Sequence, residues 1–239
     1  IIKAFGPANH HFERELLAYQ SASPTLANQD RASLLRAFDD ESRVLIFDIL
    51  PGDVAENTPR HLCPELHNEA GRLLRILHDV RAHEDSDACQ KEHQRALSWL
   101  TQDHPLSAAT AAECQRVLQA FEPGLITVVP THGDYQPRNW LLAPDGVLRI
   151  IDFGRFALRG RMEDFMFLEA KVWRKHRNLE RAFFTGYGKD PRKGHEHGWF
   201  IARLRAAIGI AAWAHQFNLP EFSQHGVAWV HELLETGHE

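Results

Sequence analysis

Two carboxylates and an amide, Asp134, Asn139 and Asp152, stand near the ends of short apolar runs in the stretch 130–155, P-THGDYQPRN-WLLAPDG-VLRIIDFGR. The run Leu125-Ile126-Thr127-Val128-Val129 is closed by Pro130, and a polar loop follows. Trp140-Leu141-Leu142 then turns through Ala143-Pro144-Asp145-Gly146 into Val147-Leu148-Arg149-Ile150-Ile151, the pattern of a hairpin. Hard oxygen donors at strand ends suit Mg²⁺ and a phosphate better than they suit a core. The chemistry they fit is phosphoryl transfer, which asks for a hydroxyl held in line, a proton acceptor and neutralised phosphate charge. Asp134 would orient the hydroxyl and take its proton, while Asn139 and Asp152 would supply oxygen ligands to Mg²⁺. A single Asp in a turn usually caps or is solvated. Two motifs in the right order, each after an apolar strand and with a hairpin between them, are harder to explain that way.

These residues need strands and helices to hold them. Ile1 to Phe5 reads as a strand, ended by Gly6-Pro7-Ala8-Asn9, and His10–Gln20 as a helix with Phe12, Leu16 and Tyr19 at helical spacing. Residues 21–30 read as a polar loop around Pro24. Ser33–Phe38 and Arg43–Phe47 read as strands joined by Asp39-Asp40-Glu41-Ser42. The pattern breaks at Asp48-Ile49-Leu50-Pro51-Gly52, which places a lobe boundary there. Beyond it the character is helical, over about 64–80, 89–100, 108–121, 162–176, 179–187, 199–217 and 221–234. The expected organisation is α+β, with a small β-rich lobe of residues 1–50 and a mostly helical lobe of residues 51–239.

Composition narrows the partners. A chain of 239 residues with net charge −5 offers no general electrostatic footprint for nucleic acid. No apolar run approaches the roughly 18–20 residues of a membrane span, so no membrane partner is expected. Cys63, Cys89 and Cys114 lack metal spacing and read as reduced thiols of a cytoplasmic protein. Sixteen histidines, among them His10-His11 and His195-Glu196-His197, show no zinc spacing, since H-E-H is too short to place two ligands on one helix face.

The series His132-Gly133-Asp134 with Asn139, followed by Ile151-Asp152, resembles the aminoglycoside phosphotransferase and choline kinase-like family, which has a protein-kinase-like fold. Gly133, where protein kinases usually carry Arg, favours the small-molecule branch. The resemblance implies a two-lobed enzyme using ATP and Mg²⁺ to phosphorylate a hydroxyl of a small molecule, an aminoglycoside or other antibiotic among the candidates. Lys3 resembles the strand lysine that meets the α- and β-phosphates, and a Glu of the next helix should hold it. With Phe12, Leu16 and Tyr19 defining the inward face, Glu15 lies about 65° from its centre and Glu13 about 95°, at roughly 100° per residue. Glu15 is therefore the better partner. The segment from Phe47 to Leu50, including Asp48, resembles the hinge whose backbone meets adenine. His132 resembles the family's structural loop histidine, and Asp164 its brace for the catalytic loop.

Departures from the family pattern are also present. No glycine lies between Gly6 and Gly52, and the resemblance implies a glycine-bearing hairpin upstream of Ile1 that would cover the phosphates. Gln136 and Arg138 differ from the commoner loop residues, and Gly154-Arg155 replaces a frequent acidic residue. Arg155 could meet phosphate or pair with a carboxylate such as Glu163. Residues 51–239 carry 22 Lys and Arg against 25 Asp and Glu, which gives little support for a polycationic acceptor. Macrolides, amino alcohols such as choline and sugars stay open as acceptors. The competing expectation is a non-catalytic kinase-like binding module, and the retention of Asp134, Asn139 and Asp152 together argues against it.

Overall fold

The computed structural model describes residues 1–237 as two compact units. The first comprises residues 1–83 and 128–190, the second residues 84–127 and 191 onward. The organisation is α+β, as the sequence predicts.

The first unit opens on β1 (Ile2–Ala4), followed by α1 (His11–Ser21) and the single-turn α2 (Pro24–Ala27). It continues with β2 (Leu35–Asp39), β3 (Val44–Phe47) and the two-residue β4 (Asp53–Val54). β1, β3 and β2 form an antiparallel sheet in that order, with Lys3 opposite Leu45. α1 buries Phe12, Leu16, Ala18 and Tyr19 on one stripe, and Glu15 shares that buried face. The turn within 21–30 replaces the loop expected there. Pro24 occupies the first turn of α2, where a missing N–H costs nothing.

α3 (Pro64–His78) follows, then β5 (His83–Asp85) and, in the second unit, α4 (Asp87–Trp99) and α5 (Ala108–Gln119). β6 (Ile126–Thr131) runs through Pro130 instead of stopping before it. β7 (Trp140–Leu142) and β8 (Leu148–Ile150) make the predicted hairpin, and β4 joins the far edge of β7. β9 (Ala157–Gly160) pairs antiparallel with residues 128–131 of β6. The helix expected over 162–176 is broken into a 3₁₀ turn (Arg161–Phe165), the short α6 (Met166–Leu168) and a π turn (Glu169–Trp173). Asp164 and Lys171, on either side of α6, both hydrogen-bond to the loop of residues 132–136. α7 (Arg177–Tyr187) completes the unit and packs closely on α3.

The second unit pairs α8 (Glu196–Gln216) with α9 (Pro220–Thr236), where Ser223 Oγ donates to the Ala211 carbonyl at 3.0 Å. Among the described residues no helix is long and apolar enough to cross a membrane.

Candidate active site

The loop after β6 is held by its backbone. Asp164 accepts the N–H of His132 at 2.8 Å through Oδ2 and that of Gly133 at 2.6 Å through Oδ1. His78, fully buried, brings its Nε2 to the same carboxylate at 3.0 Å, and its Nδ1 meets the Tyr187 hydroxyl at 2.8 Å. Burial pushes the Asp164 carboxyl up, but the hydrogen bond from His78, with His132 and the Gly133 N–H, outweighs it and holds the group below its ordinary value. Burial drives His78 the other way, towards the neutral ring. His132 spends both ring nitrogens on backbone. Its Nδ1 accepts the Asp134 N–H at 3.2 Å, so its Nε2 donates to the Ile151 carbonyl at 2.9 Å. That leaves it no proton to shuttle, and it ties the loop to the segment after β8.

Gly133 meets a strict requirement. Its φ is +79°, and an added Cβ would lie 2.3 Å from the Arg155 carbonyl oxygen. No L side chain fits there, which gives a physical reason for glycine between His132 and Asp134.

Asp134 is buried, with both oxygens taken. Gln136 donates its amide to Oδ1, while Arg138 at 2.5 Å and Asn139 at 2.9 Å donate to Oδ2. Asn139 also donates to the Asp134 carbonyl at 2.8 Å. Both its amide hydrogens are thereby used, so Oδ1 remains as an oxygen donor. The Ile151 N–H reaches the Asn139 carbonyl at 3.0 Å, which sets Asn139 beside the residue preceding Asp152.

Asp152 has φ +64°, a left-handed conformation that Asp tolerates better than most residues. Its side chain is 54% exposed and lies 3.4 Å from Lys3 Nζ, which meets Glu15 Oε1 at 2.6 Å. Burial pushes Asp152 up, but the Lys3 charge, His132 and the Gly154 N–H outweigh it and hold it below its ordinary value. Glu15, almost wholly buried, is pushed up by burial despite Lys3. Glu13 pairs instead with Arg43 on the exposed side, as the helical angles predict. His11 Nδ1 meets the Gly154 carbonyl at 2.5 Å, a further tie between α1 and the Asp152 segment.

The structure thus brings Lys3, Glu15 and Asp152 into one cluster, and Asp134 and Asn139 into a second. Asp48 and Leu50 lie beyond the end of β3. The Asp48 carboxylate is paired with Arg36, and its carbonyl accepts the Ser33 hydroxyl at 2.6 Å. Among the described residues no hydrogen bond joins Asp48 or Leu50 to either cluster. Arg155 lies over the Phe167 ring at 5.8 Å. Two residues that the sequence does not single out also hold the loop, His78 through Asp164 and Lys171 by direct contact. Lys171 Nζ donates to Gln136 Oε1 at 2.9 Å. His78 carries the weak signal of a histidine on a helix's apolar face, and Lys171 carries none.

Among the described residues no three His, Cys, Asp or Glu side chains gather into a metal cage. The amide oxygen of Asn139 and the partly exposed carboxylate of Asp152 nonetheless fit Mg²⁺, which keeps several waters and takes few protein ligands beside phosphates.

Residues 7–197 match the family model described as "Phosphotransferase enzyme family". The chain belongs to that family. Its fold is that of the protein-kinase-like phosphotransferases. It is similar to choline kinase LicA from Streptococcus pneumoniae, with TM-score 0.68 and 14% identity over 98% of this chain and 85% of that one. It is similar to APH(2")-IIia, solved with GDP and kanamycin, with TM-score 0.69 and 12% identity over 98% and 92%. A spectinomycin phosphotransferase solved with ADP and its antibiotic gives TM-score 0.57 and 15% identity over 98% and 83%. No curated protein matches the chain by sequence.

Proposed function

We propose that the chain transfers the γ-phosphate of ATP to a hydroxyl of a small molecule. The observation that carries this is Lys3 Nζ set between Glu15 at 2.6 Å and Asp152 at 3.4 Å, joining the β-sheet, α1 and the segment after β8. An ammonium fixed by a buried carboxylate beside a partly exposed one suits a phosphate chain with its counter-ion.

Asp134 orients the acceptor hydroxyl and accepts its proton as the oxygen attacks the γ-phosphorus. The new O–P bond forms as the bond to the β–γ bridging oxygen breaks, leaving a phosphate ester and ADP. Asn139 Oδ1 and the Asp152 carboxylate are the ligands for Mg²⁺, which when bound neutralises charge on the phosphates. Lys3, held by Glu15, meets the α- and β-phosphates. The backbone from Asp48 to Leu50 meets the adenine base.

Calorimetric titration tests the nucleotide half without an acceptor. ATP should bind the protein in Mg²⁺ and at least about tenfold more weakly in EDTA, the cost of roughly one charge-assisted contact. Asp152→Asn should remove most of that dependence. Failure to bind Mg·ATP at all would favour the binding-module alternative.

A further inference from the structure

The surroundings of Asp134 are basic. Arg138 holds its Oδ2 at 2.5 Å, and Lys171 reaches Gln136, the residue that holds its Oδ1. Lys171 and Arg155 both lie against the Phe167 ring, at 5.7 and 5.8 Å. Burial lowers the Lys171 pKa, and the charges of Arg138 and Arg155 lower it further.

A second, independent feature is the helix break that delivers Lys171. The lysine sits in the π turn of residues 169–173, and single π turns inside helices occur frequently at functional sites. A continuous helix over 162–176 would present a different face at this position.

An acceptor rich in ammonium groups would meet like charges here, whereas a carboxylate or phosphate would meet a planar guanidinium and an ammonium. The Arg138 side chain is 44% exposed, against 6% for Asp134, so an incoming anion can reach the guanidinium before the base. We infer that the acceptor carries an anionic group near its reacting hydroxyl, and that Arg138 and Lys171 recognise it. Arg138 exchanges Asp134 for the acceptor's anion on binding, which opens one acceptor position on Oδ2 for the hydroxyl while Asn139 keeps its own bond there. This rests on the phosphotransferase function proposed above, and it sets the acceptor apart from choline and kanamycin.

Four probes sharing one sugar ring separate the chemistries: D-glucose, D-glucuronate, D-glucose 6-phosphate and D-glucosamine. Each is titrated by calorimetry into the full chain loaded with Mg²⁺ and a non-hydrolysable ATP analogue. At least one anionic probe should bind about tenfold or more tighter than glucose, the effect of one charge-assisted hydrogen bond, and glucosamine should bind worst. Whether the uronate or the phosphate leads distinguishes a carboxylate from a phosphate acceptor. Arg138→Gln and Lys171→Met should each cut the preference severalfold, and Arg138→Lys should keep part of it. A melting curve checks that each variant is folded. Equal binding of all four probes, a lead for glucosamine, no binding of any, or a preference untouched by both substitutions would overturn the inference. A protein that takes up Mg·ATP yet shows no anion preference loses this inference alone. One that takes up no Mg·ATP loses the phosphotransferase reading as well.

Discussion

Asp164 shows how one carboxylate can set the loop that carries Asp134. Its oxygens take two consecutive backbone N–H groups and the His78 ring, with the His132 and His78 bonds fully buried. Asp164→Asn would turn one acceptor oxygen into a donor facing a donor. It should cost about 2 kcal/mol or more by urea denaturation, the range for an unsatisfied buried group. Gly133→Ala is the companion case. The positive φ alone costs roughly 1–2 kcal/mol, and the 2.3 Å approach to the Arg155 carbonyl forces the loop to move. Its stability should fall by at least that amount, and ADP release should fall further because Asp134 is the next residue. At this scale motif spacing singles out Asp134, Asn139 and Asp152, the family resemblance alone points to Lys3, and the helix face separates Glu15 from Glu13. Lys171 and His78 are not legible, since they come from distant elements and their contacts exist only after folding.

The crossing of α3 and α7 depends on two glycines. A Cβ on Gly71 would lie 2.1 Å from the Phe183 carbonyl oxygen, and one on Gly186 would lie 1.8 Å from that of Asn68. The backbones touch, and Asn68 Nδ2 donates across the crossing to the Ala182 carbonyl at 3.2 Å. α3 also supplies the Ala70 carbonyl that accepts the Tyr135 hydroxyl at 2.7 Å, so the crossing supports the residue after Asp134. Gly186→Ala should therefore destabilise by about 3 kcal/mol, at the upper end for overpacking, and lower turnover with it. A urea midpoint within error of wild type would refute the close crossing. The long helices and the β7–β8 hairpin are legible because their apolar periods are sustained. α2, β4 and the break at 161–173 are not. Pro24 reads as a breaker although it starts a turn, β4 has two residues, and no Gly or Pro lies between Met162 and Trp173.

For the molecule as a whole, the buried histidines set the acid limb of stability. Burial lowers His67 from 6.5 to about 4, its Nε2 lies 2.9 Å from the His61 carbonyl, and its Nδ1 has no partner. Between those two values the unfolded chain binds a proton that the folded chain does not, so stability falls as pH falls. Linkage gives about 2 kcal/mol lost from His67 between pH 7.5 and pH 5, and His78 acts in the same direction. Asp164, held below its ordinary value, adds its loss only at more acid pH, as its folded form protonates. Urea midpoints at pH 7.5 and 5 check the slope, which His67→Gln should flatten; no change between the two pH values would contradict it. The central claim is phosphate transfer through Asp134, and acceptor-dependent ADP release tests it most directly. Wild-type protein with Mg·ATP should release ADP with an acceptor from a panel of anionic, neutral and cationic hydroxyl compounds. Asp134→Ala should fall by about 10²–10⁴-fold with that acceptor while still binding Mg·ATP. Turnover that survives the substitution would contradict the account.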